Sequence, residues 1–406
     1  MPHLRLRHAK NLYEQALSFS PLVGIFGHRQ VGKTTFLENS CETYYTFDDS
    51  ATVKRARANV GTFLEGVGKA PAGIDECQTV DELFPALKEW VRKHKAPGQI
   101  VLSGSVRFYS KKAIAESLTG RIINIELLPM VLTELADQEV ARFPLHLIKQ
   151  STFSSDFESA LAAKSLHARA EMLKRYLTHG GLPGVCFMRN DRMRSERLRE
   201  QLQLILDRDL RLVYPTTLPY SQLLNYVIQL SEGEGNPVQT TLLRKSTGIA
   251  EATQKNLLYA MENVFLIRQI PIEGKRKGVC FYFEDQAEQL SLKEEKPDAL
   301  KQFEGLVFRN LRASFNYELG LDFRFFQYRE RPDVYIPFAI RTKEGCLGIL
   351  PILGTKPVRK DLRIAHKFLQ RYSPASILVV TQGVAETVVL EPRILQVPSE
   401  RLLFED

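Results

Sequence analysis

This 406-residue chain holds one tryptophan and five cysteines, Cys41, Cys77, Cys186, Cys280 and Cys346, scattered along its length. None forms a C-x-x-C pair or a His/Cys metal spacing. That excludes a zinc module and a disulfide scaffold, and it predicts reduced thiols in a cytoplasmic protein. No apolar run approaches the ~18 residues of a membrane helix, so no membrane partner is expected. The opening MPHLRLRHAK is basic but lacks the apolar core of a signal peptide. What remains is ordinary globular composition, 25% charged and 44% hydrophobic, long enough for two to four domains. The net charge of +8 permits an anionic partner without demanding one.

The most informative run is GHRQVGKT, Gly27 to Thr34, a full match to G-x-x-x-x-G-K-[ST]. Leu22-Val23-Gly24-Ile25-Phe26 before it reads as a buried strand, and Thr35-Phe36-Leu37-Glu38 after it opens a helix. A strand, a glycine loop and a helix wrap backbone N–H groups around a triphosphate, and the helix N-terminus adds partial positive charge. The loop residues Gly27, His28, Arg29, Gln30, Val31, Gly32, Lys33, Thr34 and Thr35 are the candidate phosphate contacts. Lys33 would reach the β- and γ-phosphates, and Thr34 would hold Mg²⁺.

Ile74-Asp75-Glu76 follows at a plausible distance. An apolar strand ending in Asp-Glu suits hydrolysis: Asp75 would hold the Mg²⁺ shell and Glu76 would polarise the attacking water. A third strand, Ile100–Ser105, ends in small polar residues, and Ser103 or Ser105 could contact the γ-phosphate or the water. Between them, Leu83, Phe84, Leu87, Trp90 and Val91 recur at helical spacing and read as core packing. Strands alternating with helices imply a parallel sheet covered on both faces.

The series GHRQVGKTT, TFDDS (Thr46–Ser50), IDECQ (Ile74–Gln78), VLSGS (Val101–Ser105) and ESLTGR (Glu116–Arg121) resembles one family. It is the AAA-type P-loop ATPases of bacteria and archaea that carry a C-terminal domain of unknown function. Their motifs read approximately GxRQVGKTT, LDDP, IDEIQ, LTGS and ESLAGR. YLTHGGLPGV (Tyr176–Val185) and DRDL (Asp207–Leu210) extend the likeness beyond the core. The resemblance implies ATP as the nucleotide. The residues agree negatively, since no Asn-Lys-x-Asp guanine-reading motif is present. Arg121 stands at the family's GR position, where a guanidinium could stabilise charge on a transferring phosphoryl group, in its own or a neighbouring subunit of a homo-oligomer. The alternative is a structural arginine paired with Glu116 or Glu126. Asp48 and Asp49 read as caps of the next helix.

Residues 136–235 read as a helical connector. Seven arginines from Arg189 to Arg211 are interleaved with five acids, which predicts a salt-bridged, solvated face. Gly180-Gly181-Leu182-Pro183 is a turn signal and a candidate hinge. Residues 236–296 read as a winged helix: helices Thr240–Ser246 and Glu251–Phe265, then strands Ile267–Ile272 and Val279–Phe283 around a basic tip. The second helix, with Thr253, Gln254 and Lys255 exposed, would enter a major groove while Lys275, Arg276 and Lys277 meet DNA phosphates. Protein docking is the other use of such a module.

Residues 297–406 run helix, three strands, helix, strand. The order resembles restriction-endonuclease-like domains, which the family carries at its C-terminus. Glu304 and Asp333 fit two acidic positions, but Ile349–Ile352 reads ILPI where relatives read IEVK. With no acid or lysine on that strand, nuclease activity is not expected. The expected architecture is α/β: a P-loop NTPase parallel-sheet domain over 1–135, the connector, the winged helix, and a degenerate nuclease-like domain. The expected function is Mg²⁺-dependent ATP hydrolysis coupled to conformational change and to a DNA or protein partner. The alternatives are a nucleotide-dependent scaffold with negligible turnover and an ATP-regulated nuclease.

Overall fold

The computed structural model describes residues 4–107, 118, 120–293 and 298–405. Glu116, Ser117 and Thr119 of the ESLTGR run lie outside them. Among the described residues no helix is long and apolar enough to cross a membrane.

The first layer is a five-stranded sheet in the order β2-β3-β4-β1-β5, with every neighbour parallel. Its strands are β1 (Leu22–Gly27), β2 (Thr43–Thr46), β3 (Ala72–Asp75), β4 (Ile100–Gly104) and β5 (Ile122–Leu127). β1 is buried at all six positions because it is flanked by β4 and β5 and covered on both faces. Helices α1 (Ala9–Phe19) and α2 (Lys33–Glu38) share an apolar core with Val23 and Ile25 on one face. Helices α3 (Ser50–Ala58), α4 (Val60–Glu65) and α5 (Leu83–Lys93) cover the other, and the predicted Leu83–Val91 stripe is buried there. Asp49 caps α3, accepting from the amides of Ala51 and Thr52 at 3.2 and 2.9 Å. All five strands end at the same edge, which is where parallel sheets bind ligands.

The second sheet has nine strands in the order β6-β13-β14-β12-β11-β10-β9-β7-β8. Six come from the tail: β9 (Phe323–Arg331), β10 (Val334–Thr342), β11 (Cys346–Pro351), β12 (Ala375–Thr381), β13 (Glu386–Glu391) and β14 (Ile394–Pro398). Helix Ala299–Asn316 packs on one face and helix Arg359–Arg371 on the other. The connector contributes the short edge strand β6 (Ser159–Ala160).

Two expectations change here. The hairpin β7 (Ile267–Gly274) and β8 (Gly278–Phe283), read as a free-standing wing, belongs to this sheet: Ile272, Glu273 and Gly274 pair in parallel with Gln327, Tyr328 and Arg329. The 236–296 and 297–406 segments therefore share one sheet rather than two bodies. Gln254, expected to be exposed, is fully buried, donating to Thr240 O at 3.0 Å and Ile249 O at 2.8 Å. It ties helix Glu251–Asn263 to helix Thr240–Thr247 and cannot read a base.

The two sheets meet at Glu126 of β5. Its carboxylate is held by Arg107, Arg268 and Arg312, the last two from the C-terminal half. Burial alone would raise this carboxyl, but the three guanidinium groups hold it well below the usual carboxylate range. Glu126 is therefore a domain-joining anion and not the partner of Arg121. On the connector, Arg192–Glu196, Arg194–Asp191 and Arg197–Glu200 pair along helix Asp191–Leu204, giving the salt-bridged face expected from the charge pattern.

Candidate nucleotide-binding site

The glycine loop leaves the C-terminal end of β1 and enters α2 through Gly32, whose φ of 98° is left-handed and suits a residue without Cβ. Lys33 is 6% exposed, and its ammonium donates to Gly27 O and His28 O, both at 2.9 Å. Burial pulls it below the usual lysine range, against the attraction of Glu76 and Asp75. A buried ammonium bonded only to neutral carbonyls at the sheet's ligand edge is suited to an anion.

Asp75 ends β3 and collects four donors. Thr34 Oγ1 donates to Oδ2 at 2.6 Å, Tyr44 OH donates to Oδ2 at 3.0 Å, the Glu76 amide donates to Oδ1 at 3.0 Å, and Ser103 Oγ donates to Oδ1 by a short bond. The Thr34 hydroxyl and the Asp75 carboxylate are hard oxygen donors side by side, a set that fits Mg²⁺ in company with phosphate oxygens. Glu76 takes a left-handed backbone, φ 54°, and its Oε2 accepts from Gln78 Nε2. Burial raises its carboxyl above the usual value and Lys33 opposes the rise. Thr34, Lys33, Asp75 and Glu76 thus converge as the motif spacing predicts.

Other predicted residues take different places. Ser105 Oγ is buried without a hydrogen-bond partner among the described residues, while Ser103 reaches Asp75. Gln30 is exposed with φ 60°, Thr35 is exposed, and Val31 is buried with its carbonyl accepting from Arg7 Nη1 at 2.8 Å. Arg121 is separated from the loop. It precedes Ile122, which pairs with Leu22, whereas the loop begins at Gly27, opposite Leu127. Six residues of strand put its backbone roughly 20 Å from the phosphate edge. Instead it lines a surface recess with Lys88 and Arg92 of α5. That separation places Arg121 away from its own subunit's phosphate loop. Arg121→Ala is expected to leave ATP turnover within about twofold of the parent at protein concentrations that keep the chain monomeric. A large loss in a steady-state phosphate-release assay under those conditions would contradict this placement.

The sequence reading missed what grips the loop from outside. Arg29 Nε and Nη2 bind Asp209 Oδ2 and Oδ1 at 3.0 and 3.1 Å. Asp209 closes a π-helical turn, Ile205–Asp209, inserted into the connector helix, and such turns recur at functional positions. His28 turns its ring away from the phosphate side: Nδ1 donates to Arg29 O at 2.7 Å and Nε2 donates to Glu288 Oε2 at 3.0 Å. The candidate hinge Gly180–Pro183 is instead locked, because the Gly181 and Leu182 amides donate to Asp285 Oδ2 at 2.7 and 3.2 Å. A Cβ on Gly181 would stand 2.0 Å from Met130 O. The only sequence signals for these partners were the DRDL and GGLPG runs; Asp285 and Glu288 had none.

The His28–Glu288 pair is fully buried. Burial lowers the imidazole pKa, but the Glu288 carboxylate, with Asp285 behind it, raises it further, so the net shift is upward. A raised folded-state value means the pair's stabilisation is complete below the ordinary histidine pKa of about 6.5 and is lost as pH rises through the folded value. The difference in urea midpoint between the parent and Glu288→Gln should therefore be largest near pH 6 and shrink by pH 9. A pH-independent difference would refute a charged His28.

A phosphate loop on a central parallel strand, with an acidic pair ending the second strand over, defines the P-loop NTPase class. Residues 20–136 match the family described as AAA domain, and residues 170–275 match a domain of unknown function (DUF8612). The chain thus carries an AAA-type P-loop ATPase domain at its N-terminus, followed by that domain of unknown function. Two relatives, "Uncharacterized protein Mb2031c" of Mycobacterium bovis and "Uncharacterized protein Rv2008c" of Mycobacterium tuberculosis, are each 23% identical over 325 residues, covering 76% of this chain and 66% of theirs. A solved structure, protein VC1899 from Vibrio cholerae, is 12% identical and covers 89% of this chain and 88% of its own at a TM-score of 0.17, too low to support any argument.

Proposed function

We propose that this protein binds ATP with Mg²⁺ and hydrolyses it, and that the change at the phosphates is passed to the C-terminal half, which engages a DNA or protein partner. The observation that carries this is the buried Lys33 ammonium beside the Thr34–Asp75–Glu76 cluster. Mg²⁺, when bound, would polarise the phosphate oxygens and neutralise developing charge. Thr34 and Asp75 would hold it. Glu76, oriented by Gln78, would accept the proton of the attacking water. Lys33 must leave the Gly27 and His28 carbonyls to reach phosphate, which reshapes the loop. His28 and Arg29 move with it, and both are tied to the C-terminal half or connector through Glu288 and Asp209. This linkage is the route of coupling.

The Arg29–Asp209 pair also favours the second reading, a nucleotide-gated scaffold with negligible turnover, since it occupies a cation on the phosphate side. The ATP-regulated nuclease is disfavoured by Lys301, whose ammonium binds Glu304 at 2.7 Å where a metal would have to sit. Phosphate release from ATP by the full chain, with Mg²⁺ and with chelator, tests the proposal. Mg²⁺-dependent release is expected. Tight ATP binding without release would select the scaffold, and no binding at millimolar ATP would refute both.

A further inference from the structure

One end of the nine-stranded sheet gathers exposed cations from separate chain segments. β7 ends beside β9, with Gly274 opposite Arg329 and the Arg276 amide donating to Arg329 O at 3.3 Å. The tip Lys275-Arg276-Lys277 therefore lies next to the β9–β10 turn that carries Arg331. β10 runs antiparallel to both β9 and β11. The loop after β11, with Lys356, and the following helix start, with Lys360, consequently reach the same end. All six of these cations are exposed. Of the nearby acids, Glu330 pairs with Lys367 at 3.7 Å, Asp361 accepts from the Val358 amide at 2.9 Å, and Asp333 is exposed; the six cations outnumber these three.

A cavity of about 320 Å³ opens on this rim, lined by Glu304, Asp333, Tyr335, Lys356 and Lys360 among others. Its one deeply buried carboxylate, Glu304, is balanced from within: Lys301 Nζ lies 2.7 Å from Oε2, and Tyr335 OH donates to Oε1 at 3.0 Å. Arg329, only 4% exposed, stacks over the Tyr335 ring at 4.2 Å and keeps Nη2 without a hydrogen-bond partner. Lys301 and Arg329 thus stand behind Glu304 at the base, while Lys356 and Lys360 bring positive charge to a mouth they share with Asp333 and Asp361. Among the described residues no group of three or more His, Cys, Asp or Glu side chains is placed to hold a metal ion.

We infer that this rim and cavity bind the phosphodiester backbone of duplex DNA without cutting it, with the Lys301 ammonium standing where a nuclease would keep metal. Single strands are bound largely by stacking bases on exposed aromatics. Among the described residues the exposed aromatics, Phe19 and Tyr259, sit on α1 and on helix Glu251–Asn263, not on this rim. Contact runs along the sheet end, not through helix Glu251–Asn263 in a major groove. The inference rests on the proposed reading only in assigning target binding to the C-terminal half, and it needs no ATP turnover.

The test is fluorescence anisotropy of the full chain with a short labelled duplex, without nucleotide, over a series of salt concentrations. Affinity should fall linearly in log–log form, with a slope near −0.9 per neutralised phosphate. Substituting Lys275, Arg276 and Lys277 by Ala, or Lys356 and Lys360 by Ala, should each weaken binding at least tenfold at low salt and flatten the slope. The buried pair gives opposite signs: Glu304→Gln leaves Lys301 unbalanced and should tighten binding, whereas Lys301→Met should weaken it. A folding defect would weaken both. The inference is overturned if the rim variants bind like the parent, if no salt-dependent binding occurs, or if a single strand binds more tightly than the duplex. Mg²⁺-dependent cleavage lost in Asp333→Ala would also overturn it. None of these outcomes depends on hydrolysis, which is measured separately.

Discussion

Lys33→Ala is expected to lower ATP affinity by about 10- to 100-fold, since hydrogen bonds to charged groups are worth about 1.5–3 kcal/mol. Turnover should fall further, by about 10²–10³-fold, because the same ammonium faces the charge that grows on the transferring phosphoryl group. The chain itself should stay folded. Lys33 is buried, yet its partners are the Gly27 and His28 carbonyls at the start of its own loop, so removing it breaks no contact to a distant part of the chain. Isothermal titration with ATP, beside a thermal melt of the free protein, separates the two effects. A variant that binds ATP like the parent would remove Lys33 from the site.

Glu76→Gln should do the reverse: ATP remains bound and hydrolysis drops by about 10²–10⁴-fold, the usual contribution of a general base. The amide keeps the shape of the carboxylate and its contact with Gln78 but cannot take a proton. Burial raises the Glu76 carboxyl, so it becomes competent only as pH climbs above the raised value. The parent's turnover should accordingly fall on the acid side at a pH above the ordinary glutamate range of about 4.3. Single-turnover measurements on Glu76→Gln across pH check both parts. Parent-like hydrolysis by this variant would mean that another group activates the water.

The two substitutions bear on different links of one chain of contacts. Lys33 bonds to the His28 carbonyl, the His28 ring holds Glu288, and the Arg29 side chain holds Asp209. On the proposed reading, nucleotide would take Lys33 away from this set and so link phosphate binding to the C-terminal half.

Much of the candidate nucleotide site's geometry was legible in the residues themselves. Gly27 to Thr34 imposes its own backbone path, because a short-range pattern of glycines, Lys and Thr on a buried strand has few other solutions. Asp75 and Glu76 followed from an apolar strand ending in acids. The tail's run of helix, three strands, helix and strand was also readable, since apolar periodicity is a local signal, but β13 and β14 beyond it were not. Partners across elements were not readable. Asp209 is 180 residues from Arg29 and Glu288 is 260 from His28, and one sequence carries no sign that such distant charges meet. The place of Arg121 was not readable for the same reason: its distance from its own subunit's phosphate loop depends on the β1–β5 register. The basic hairpin read as a separate wing because its own pattern is complete, yet the unpaired edge of β7 is satisfied by β9, and that pairing joins it to the tail. Local sequence determined the phosphate loop, the acidic strand and the elements. Only the tertiary structure decided which distant side chains grip the loop and which cations share a rim, because those contacts are made by packing and long-range pairing.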